Sequence, residues 1–370
     1  MILRMFLQGL IPIYPFIMGK MNATSSDIGI FLSFSYVFLF LGTYLIGIVV
    51  PKYLNPKVVL LGSVLPMVSS LAAYGMIHNI WLFDLCGCAL SFFLGLHVCS
   101  NNILMGLYSS EASLSKNFST LSVSSILATV LGGFIVGPML TWLGFKSAFV
   151  VFASVLLLFS LLLIPLSKPG VNLAIQVKKP FKIDTNLWLL LASIFLVSLL
   201  LYGFKMSISI MLKRRSWTIS EISIMMALGT SLAIPVTIWW GKVSNYFNAK
   251  RLLLMLILCG FIAYSSLLGV GFYPLGIIGF ACISVVAYSI NIPVMSIIYR
   301  WYDHQSLPRA QSLTSSAVWF SAIIGFLGNG YAMEHFSETT CISTGLLICL
   351  LAFVPLLTIK FGKNIALQTA

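Results

Sequence analysis

Charged residues are scarce in this sequence of 370 residues. Asp, Glu, Lys and Arg together make up only 8% of it, whereas 59% of the residues are hydrophobic. About a quarter of the residues of a soluble domain are charged, so this composition excludes an ordinary soluble protein. It indicates an integral membrane protein.

Metal-site and disulfide patterns are also missing. All seven cysteines lie inside apolar runs and none has the spacing of a metal site, so we interpret them as small apolar packing residues. The net charge of +13 comes without a basic helix or a basic–aromatic platform. We therefore expect no cofactor, no metal and no nucleic-acid partner.

Long apolar runs are abundant, and they repeat. Residues 221–251 echo residues 27–57 at a constant offset of 194 residues, with an acid, an apolar stretch, a glycine and a closing basic residue in each copy. About twenty helical residues rise about 30 Å, the thickness of the hydrocarbon core of a bilayer. A repeat of half the chain's length predicts two similar halves.

The apolar runs predict an all-α fold of twelve transmembrane helices in two pseudo-symmetric six-helix bundles. The longest polar segment, 167–186, is rich in lysine and has the composition of a linker. We therefore predict bundles at 1–166 and 187–370. The twelve runs lie near residues 2–19, 27–49, 57–77, 80–108, 119–141, 145–166, 187–212, 219–240, 252–272, 274–299, 311–332 and 341–360.

Lysine and arginine are unevenly distributed between the predicted loops. If the N-terminus is cytoplasmic, fifteen of them fall on the inner side and five on the outer side. This satisfies the positive-inside rule, so topology accounts for the net charge. We predict a multi-pass protein of the plasma (inner) membrane with both termini in the cytoplasm. The outer cluster Lys213-Arg214-Arg215 departs from the pattern.

Twelve helices in two halves joined by a cytoplasmic linker resemble the major facilitator superfamily of secondary transporters. That family's signature between helices 2 and 3 is roughly G-x-x-x-D-R-x-G-R-R, often echoed between helices 8 and 9, and it is part of the cytoplasmic gate. Here the two sites read GIVVPKYLNPK and GKVSNYFNAKR, and both lack the acid. The gating residues that the resemblance implies are Gly47, Lys52, Lys57, Gly241, Asn245, Lys250 and Arg251.

Helix 5 contains LGGFIVGPMLTW, which is similar to the G-x-x-x-G-P motif of the family's exporters. Gly133, Gly137 and Pro138 match that motif, while Thr141 and Trp142 stand where it has further glycines. The match favours export. The alternative is that these small residues only let two helices pack closely.

Lys205 is the one charge well inside an apolar run. In the resembling family helices 1, 4, 7 and 10 line a central cavity, and Lys205 lies in helix 7. Tyr202, Lys205 and Ser209 are three and four residues apart, so they share a helix face. A buried lysine normally faces protein or water. The alternative is that it snorkels to the outer surface.

Polar residues on the other three helices extend this predicted substrate site. They are His97 and Asn101 in helix 4, Tyr288 and Asn291 in helix 10, and Gln8 in helix 1. The offset of 194 residues matches His97 with Asn291. Polar side chains in a bundle often only bond helices to one another, so a hydrogen-bonded structural histidine is the alternative for His97.

Carboxylates are missing from the middle of every apolar run, where proton-driven transporters usually place one. All eight acids lie in or near predicted loops, and Asp84 lies deepest. A coupling proton would therefore bind at His97 or at Asp84. Nothing else in the sequence supports proton coupling.

These features together predict a monomeric secondary transporter that moves a small organic molecule through the lipid bilayer by alternating access. Helix 5 favours export, whereas Lys205 and the outer basic cluster favour uptake of an anionic solute. The eroded gate motifs leave a transport-dead receptor or assembly protein as a further alternative. We do not expect an enzyme, because no nucleophile–base set or metal-ligand cluster accompanies His97.

The charge distribution makes a testable prediction of topology. In a cysteine-free background, single cysteines in the 167–186 linker and near Ala370 should react with an impermeant reagent only from the cytoplasmic side. A cysteine at Asn22 should react only from outside. The reverse pattern of labelling contradicts the orientation, and labelling from both sides indicates dual insertion.

Overall fold

The computed structural model describes residues 14–19, 22–53, 56–77, 79–109, 114–161, 183–243, 249–302 and 306–359. Regular structure within these ranges is helical throughout. The helices are α1 (Tyr14–Gly19), α2 (Ser25–Tyr53), α3 (Pro56–Gly62 and Val64–Tyr74), α4 (Ile80–Tyr108), α5 (Leu114–Trp142), α6 (Gly144–Leu161), α7 (Thr185–Arg214), α8 (Ile219–Val243), α9 (Ala249–Ser266), α10 (Tyr273–Ser289 and Asn291–Trp301), α11 (Leu307–His335) and α12 (Glu338–Thr358).

Most of the predicted spans meet the physical requirement for crossing a bilayer. Ten stretches of the described residues are long and apolar enough, and α6 contributes a shorter apolar stretch, Gly144–Leu158. Residues 2–13 of the first predicted span lie outside the described residues. Many exposed side chains are large and apolar, among them Leu158, Leu268, Leu347 and Val354, as expected for surfaces that face lipid. The all-α membrane fold predicted from the composition is therefore confirmed.

Helix packing repeats with the same offset as the sequence. In the first half α2 packs on α4 and α3 on α6, and in the second half the corresponding helices pair as α8 with α10 and α9 with α12. Two large contacts join the halves, α2 with α11 and α5 with α8. The 194-residue offset relates α2 to α8 and α5 to α11, so the two contacts correspond to each other. The halves therefore meet through two equivalent interfaces.

Small residues form the closest points of both interfaces. A Cβ atom built on Gly29 of α2 would lie 2.7 Å from the Phe326 carbonyl oxygen of α11, and one on Gly330 would lie 2.9 Å from the Gly29 Cα. At the other interface, a Cβ on Gly133 of α5 would lie 2.7 Å from the Ser223 carbonyl oxygen of α8. Backbones this close have no room for a side chain at these positions.

The helix-5 motif of the sequence lies at this second interface. A Cβ on Gly137 would lie 2.7 Å from the Ser223 hydroxyl oxygen, one turn along α5 from Gly133. Pro138 is accommodated inside α5 without a break. The close packing of α5 on α8 accounts for both glycines.

Prolines explain the two interrupted helices. A proline ring clashes with the carbonyl of the residue four positions earlier. Pro66 disturbs α3 at Gly62, and Pro293 disturbs α10 at Ser289, which are the residues where the first segments of α3 and α10 end. The break in α10 lies in the middle of the span.

Two glycines of α11 provide a test of the interface. Gly330→Ala should place a methyl group against the α2 backbone and destabilise the protein by about 1–3 kcal/mol. Gly328→Ala is the control, because a Cβ there meets nothing within 4 Å and alanine favours a helix. We expect a lower melting temperature in detergent for the first variant only. Equal melting temperatures would show that α2 and α11 do not approach this closely.

Candidate functional site

A central cavity lies between the two halves. Its volume is about 150 Å³, which is enough for a small organic molecule. The expected helices contribute Tyr14 of α1, Asn102 of α4, Lys205 of α7 and Asn291 of α10. Side chains of α2 and α11 also form much of the wall. The cavity is therefore bounded by α2 and α11, which pack on each other between the halves, as well as by the four expected helices.

The wall of the cavity is largely apolar, but it carries many polar groups and almost no charge. Among the described residues that line it, Lys205 alone carries a formal charge at neutral pH. Hydroxyl and amide groups supply the remaining polar surface. The polar and aromatic lining residues are Tyr14, Ser35, Tyr36, Tyr74, Ser91, Asn102, Ser122, Ser198, Tyr202, Lys205, Tyr288, Asn291, Ser315 and Trp319.

Lys205 is held at the boundary of two cavities. Its ammonium nitrogen lies 5.8 Å from the centre of the Tyr202 ring, within range of a cation–π interaction. A smaller cavity of about 20 Å³ adjoins Lys205, with Ser209 and Tyr288 in its wall, and has room for about one or two water molecules. The Ser209 hydroxyl donates to the Lys205 carbonyl at 2.8 Å. Lys205 therefore lines two enclosed spaces whose walls carry hydroxyl groups among apolar side chains.

Three aromatic rings from both halves form a continuous patch on the cavity wall, which we call the aromatic wall. Tyr36 of α2 lies 5.2 Å from Tyr202 of α7 and 5.9 Å from Trp319 of α11, and Tyr202 lies 6.3 Å from Trp319, between ring centres. These are ordinary distances for tilted aromatic pairs. The aromatic wall crosses the contact between the halves.

The structure brings several predicted site residues together. Tyr202, Lys205, Tyr288 and Asn291 line the central cavity, and Ser209 lines the smaller one. The Tyr288 hydroxyl also hydrogen bonds to the Thr129 hydroxyl of α5. Whether these residues bind a solute stays a prediction.

Other predicted residues of helix 4 lie elsewhere. The His97 Nδ1 atom is 3.2 Å from both the Leu60 carbonyl oxygen and the Ser63 hydroxyl of α3. A carbonyl only accepts, so Nδ1 carries the proton in that contact. Asn101 is half-buried, whereas its neighbour Asn102 lines the cavity. Gln8 lies outside the described residues.

Asp84, the other proposed proton site, is half-buried in α4. Its carboxylate accepts from the Cys88 thiol at 3.8 Å, one turn further along the same helix. It is not among the described residues that line either cavity. No group of three or more His, Cys, Asp or Glu side chains that could hold a metal occurs within the described ranges.

The described gating residues lie at the ends of α2 and α8 and at the starts of α3 and α9. Gly47 and Gly241 are buried and Arg251 is exposed. The Lys250 ammonium donates to the Leu357 carbonyl of α12 at 2.9 Å, and Lys57 is half-buried at the start of α3. The side chain of Lys52 and all of Asn245 lie outside the described residues. A gating role stays a prediction.

The predicted outer basic cluster makes specific contacts. Lys213 donates to the Pro15 carbonyl of α1 at 3.0 Å, which joins the two halves. Arg215 forms an ion pair with Glu338 of α12 at 2.9 Å, and Arg214 lies 3.8 Å from the same carboxylate. These contacts fix α7 to its neighbours.

A second polar contact joins the halves at the same end of the bundle. Glu334 of α11 accepts from the Ser26 backbone N–H of α2 at 2.8 Å. At the opposite end, Ser312 donates to the Thr43 carbonyl and Ser119 to the Thr237 carbonyl, each at 3.0 Å. The halves are thus in contact on both sides of the cavity.

Sequence reasoning missed the cavity residues of α2 and α11. Ser35, Tyr36 and Trp319 lie outside helices 1, 4, 7 and 10, which are the helices that the family resemblance implies for the cavity. A signal was present, since Ser33, Ser35 and Tyr36 interrupt an otherwise apolar stretch of α2. The sequence shows where along α2 these residues lie, but it does not show which side of the helix faces the cavity.

Comparisons with known proteins agree with the fold. The family model of the Major Facilitator Superfamily matches residues 1–298. The chain is similar to the crystal structure of the human organic anion transporter MFSD10 (TETRAN), with a TM-score of 0.72, 16% sequence identity and coverage of 96% of each chain. No curated protein matches the chain in sequence. At this identity the structural likeness bears on the fold alone.

The position of His97 predicts a structural role for it. His97→Gln should lower the free energy of unfolding by about 1 kcal/mol through the altered hydrogen bond to α3, visible as a lower melting temperature. Any acceleration of transport by an imposed pH gradient should remain as in the wild-type protein. Loss of that acceleration with intact counterflow exchange would instead identify His97 as the proton site.

Proposed function

Since the chain belongs to the major facilitator superfamily and has the fold of a secondary transporter, we propose that its solute is a small organic anion. The anion would bind in the central cavity with its charged group at Lys205. The chain moves it by alternating access, as the two halves rock about the interfaces of α2 with α11 and of α5 with α8.

One observation carries the proposal: Lys205 supplies the one formal charge among the described lining residues. A charge enclosed by protein interacts more strongly with an opposite charge than it would in water, because the surroundings screen it less. A charge-assisted hydrogen bond contributes about 1.5–3 kcal/mol. An anion of suitable size is therefore favoured over a neutral molecule of the same shape.

The cavity favours this interpretation of Lys205 over snorkelling to the outer surface. The neighbouring polar groups Tyr202 and Tyr288 line the same cavity as the lysine, and Ser209 lies in the adjoining one. At the outer end of α7, where a snorkelling Lys205 would have to reach, Lys213 and Arg214 already make the contacts described above. MFSD10, described as an organic anion transporter, is consistent with this solute class.

The direction of transport is a separate question. The sequence favours export through Gly133 and Gly137, but close packing against Ser223 accounts for both glycines without reference to direction. Export thus stays a prediction of the sequence. The lysine and arginine distribution supports a cytoplasmic position for both termini, and the plasma (inner) membrane stays a prediction of the sequence.

Lys205 is the residue to test first. Benzoate and benzamide have nearly the same shape, but only benzoate is charged, so wild-type protein should bind benzoate more tightly. Lys205→Met should weaken benzoate binding roughly ten- to a hundredfold and leave benzamide binding nearly unchanged, as measured by isothermal titration calorimetry. Lys205→Arg should restore part of the affinity, because the guanidinium is larger and planar.

An exposed lysine provides the matched control. Lys116→Met removes the same charge at the start of α5, where the side chain is exposed, and should not change benzoate affinity. Flux of radiolabelled benzoate into proteoliposomes then separates a transporter from a transport-dead receptor. Benzoate affinity that is equal in wild-type and Lys205→Met protein would exclude the anion site.

A further inference from the structure

The aromatic wall narrows the class of solute. We propose that the solute is an aromatic carboxylate whose ring packs on Tyr36, Tyr202 and Trp319 while its carboxylate pairs with Lys205. This inference rests on the proposed function and deepens it, because an anion site at Lys205 would equally serve an aliphatic acid.

The charge and the aromatic wall lie side by side. Tyr202 is common to both, since its ring centre is 5.8 Å from the Lys205 ammonium nitrogen and 5.2 and 6.3 Å from the ring centres of Tyr36 and Trp319. A carboxylate attached directly to a ring has the same arrangement, with its charge beside its aromatic face. The spacing therefore suits a compact aromatic acid.

Aromatic rings also provide directional contacts that aliphatic groups cannot. Rings carry negative faces and positive edges, so they prefer tilted or offset stacking, and such pairs are more favourable than burial of the same area alone. The three rings of the aromatic wall already meet at angles of 52–65°. A fourth ring in the cavity can join them in the same way.

Matched ligands test the aromatic class in the unmodified protein. Benzoate and cyclohexanecarboxylate share size and charge, but only benzoate is aromatic. We expect wild-type protein in detergent to bind benzoate about three- to tenfold more tightly by isothermal titration calorimetry. Simple apolar burial predicts the opposite order, because the saturated ring is more hydrophobic.

The outcomes separate this inference from the proposed function. Equal binding of the two acids, or tighter binding of cyclohexanecarboxylate, overturns the aromatic class and leaves the anion site intact. Binding of benzamide at least as tight as that of benzoate overturns the anion site itself. If neither acid binds to folded protein, both proposals fail.

Variants of Trp319 test whether the aromatic wall causes the preference for benzoate over cyclohexanecarboxylate. Trp319→Leu removes the ring and should reduce the ratio of benzoate to cyclohexanecarboxylate affinity towards one. Trp319→Phe keeps a ring and should preserve most of that ratio. Trp188→Leu is the control, since Trp188 is 61% exposed on α7. An unchanged ratio in folded Trp319→Leu protein would show that the solute does not pack on the aromatic wall.

Discussion

Close approach of helix backbones is the constraint on which the rest of this structure depends. In lipid, apolar side chains gain little by leaving the solvent, so helices associate through van der Waals packing and hydrogen bonds. Gly29, Gly330 and Gly133 allow that contact at two equivalent interfaces, where added side chains would meet backbone atoms within 3 Å. The halves touch at these two interfaces and remain apart in the space between them, and that space is the cavity.

The sequence predicts this fold well because its strongest signals are lengths and repeats. Apolar runs of the right length locate the spans, and the offset of 194 residues pairs the helices that later prove to pack alike. Lys205 was predictable for a similar reason, since a single charge inside an apolar run is conspicuous. Pro66 and Pro293 also mark the helix breaks, although Pro138, Pro235 and Pro355 lie in unbroken helices.

The direction in which a side chain points is much harder to predict. Helices that are apolar all round give no amphipathic stripe from which to infer a buried face. His97 and Asn102 show the result, since the histidine contacts α3 while the asparagine five residues later lines the cavity. Tyr36 and Trp319 become neighbours only when α2 packs on α11, across more than 280 residues of chain. Only the tertiary structure brings them together.

The aromatic wall has a consequence for turnover. Tyr36 belongs to one half, and Tyr202 and Trp319 belong to the other, so a solute that packs on all three holds the halves in their present arrangement. A ligand shifts a conformational equilibrium by the difference between its affinities for the two states. Solutes that bind this arrangement too strongly would therefore slow the rocking step and act as inhibitors, and the best cargo would be one of only moderate affinity.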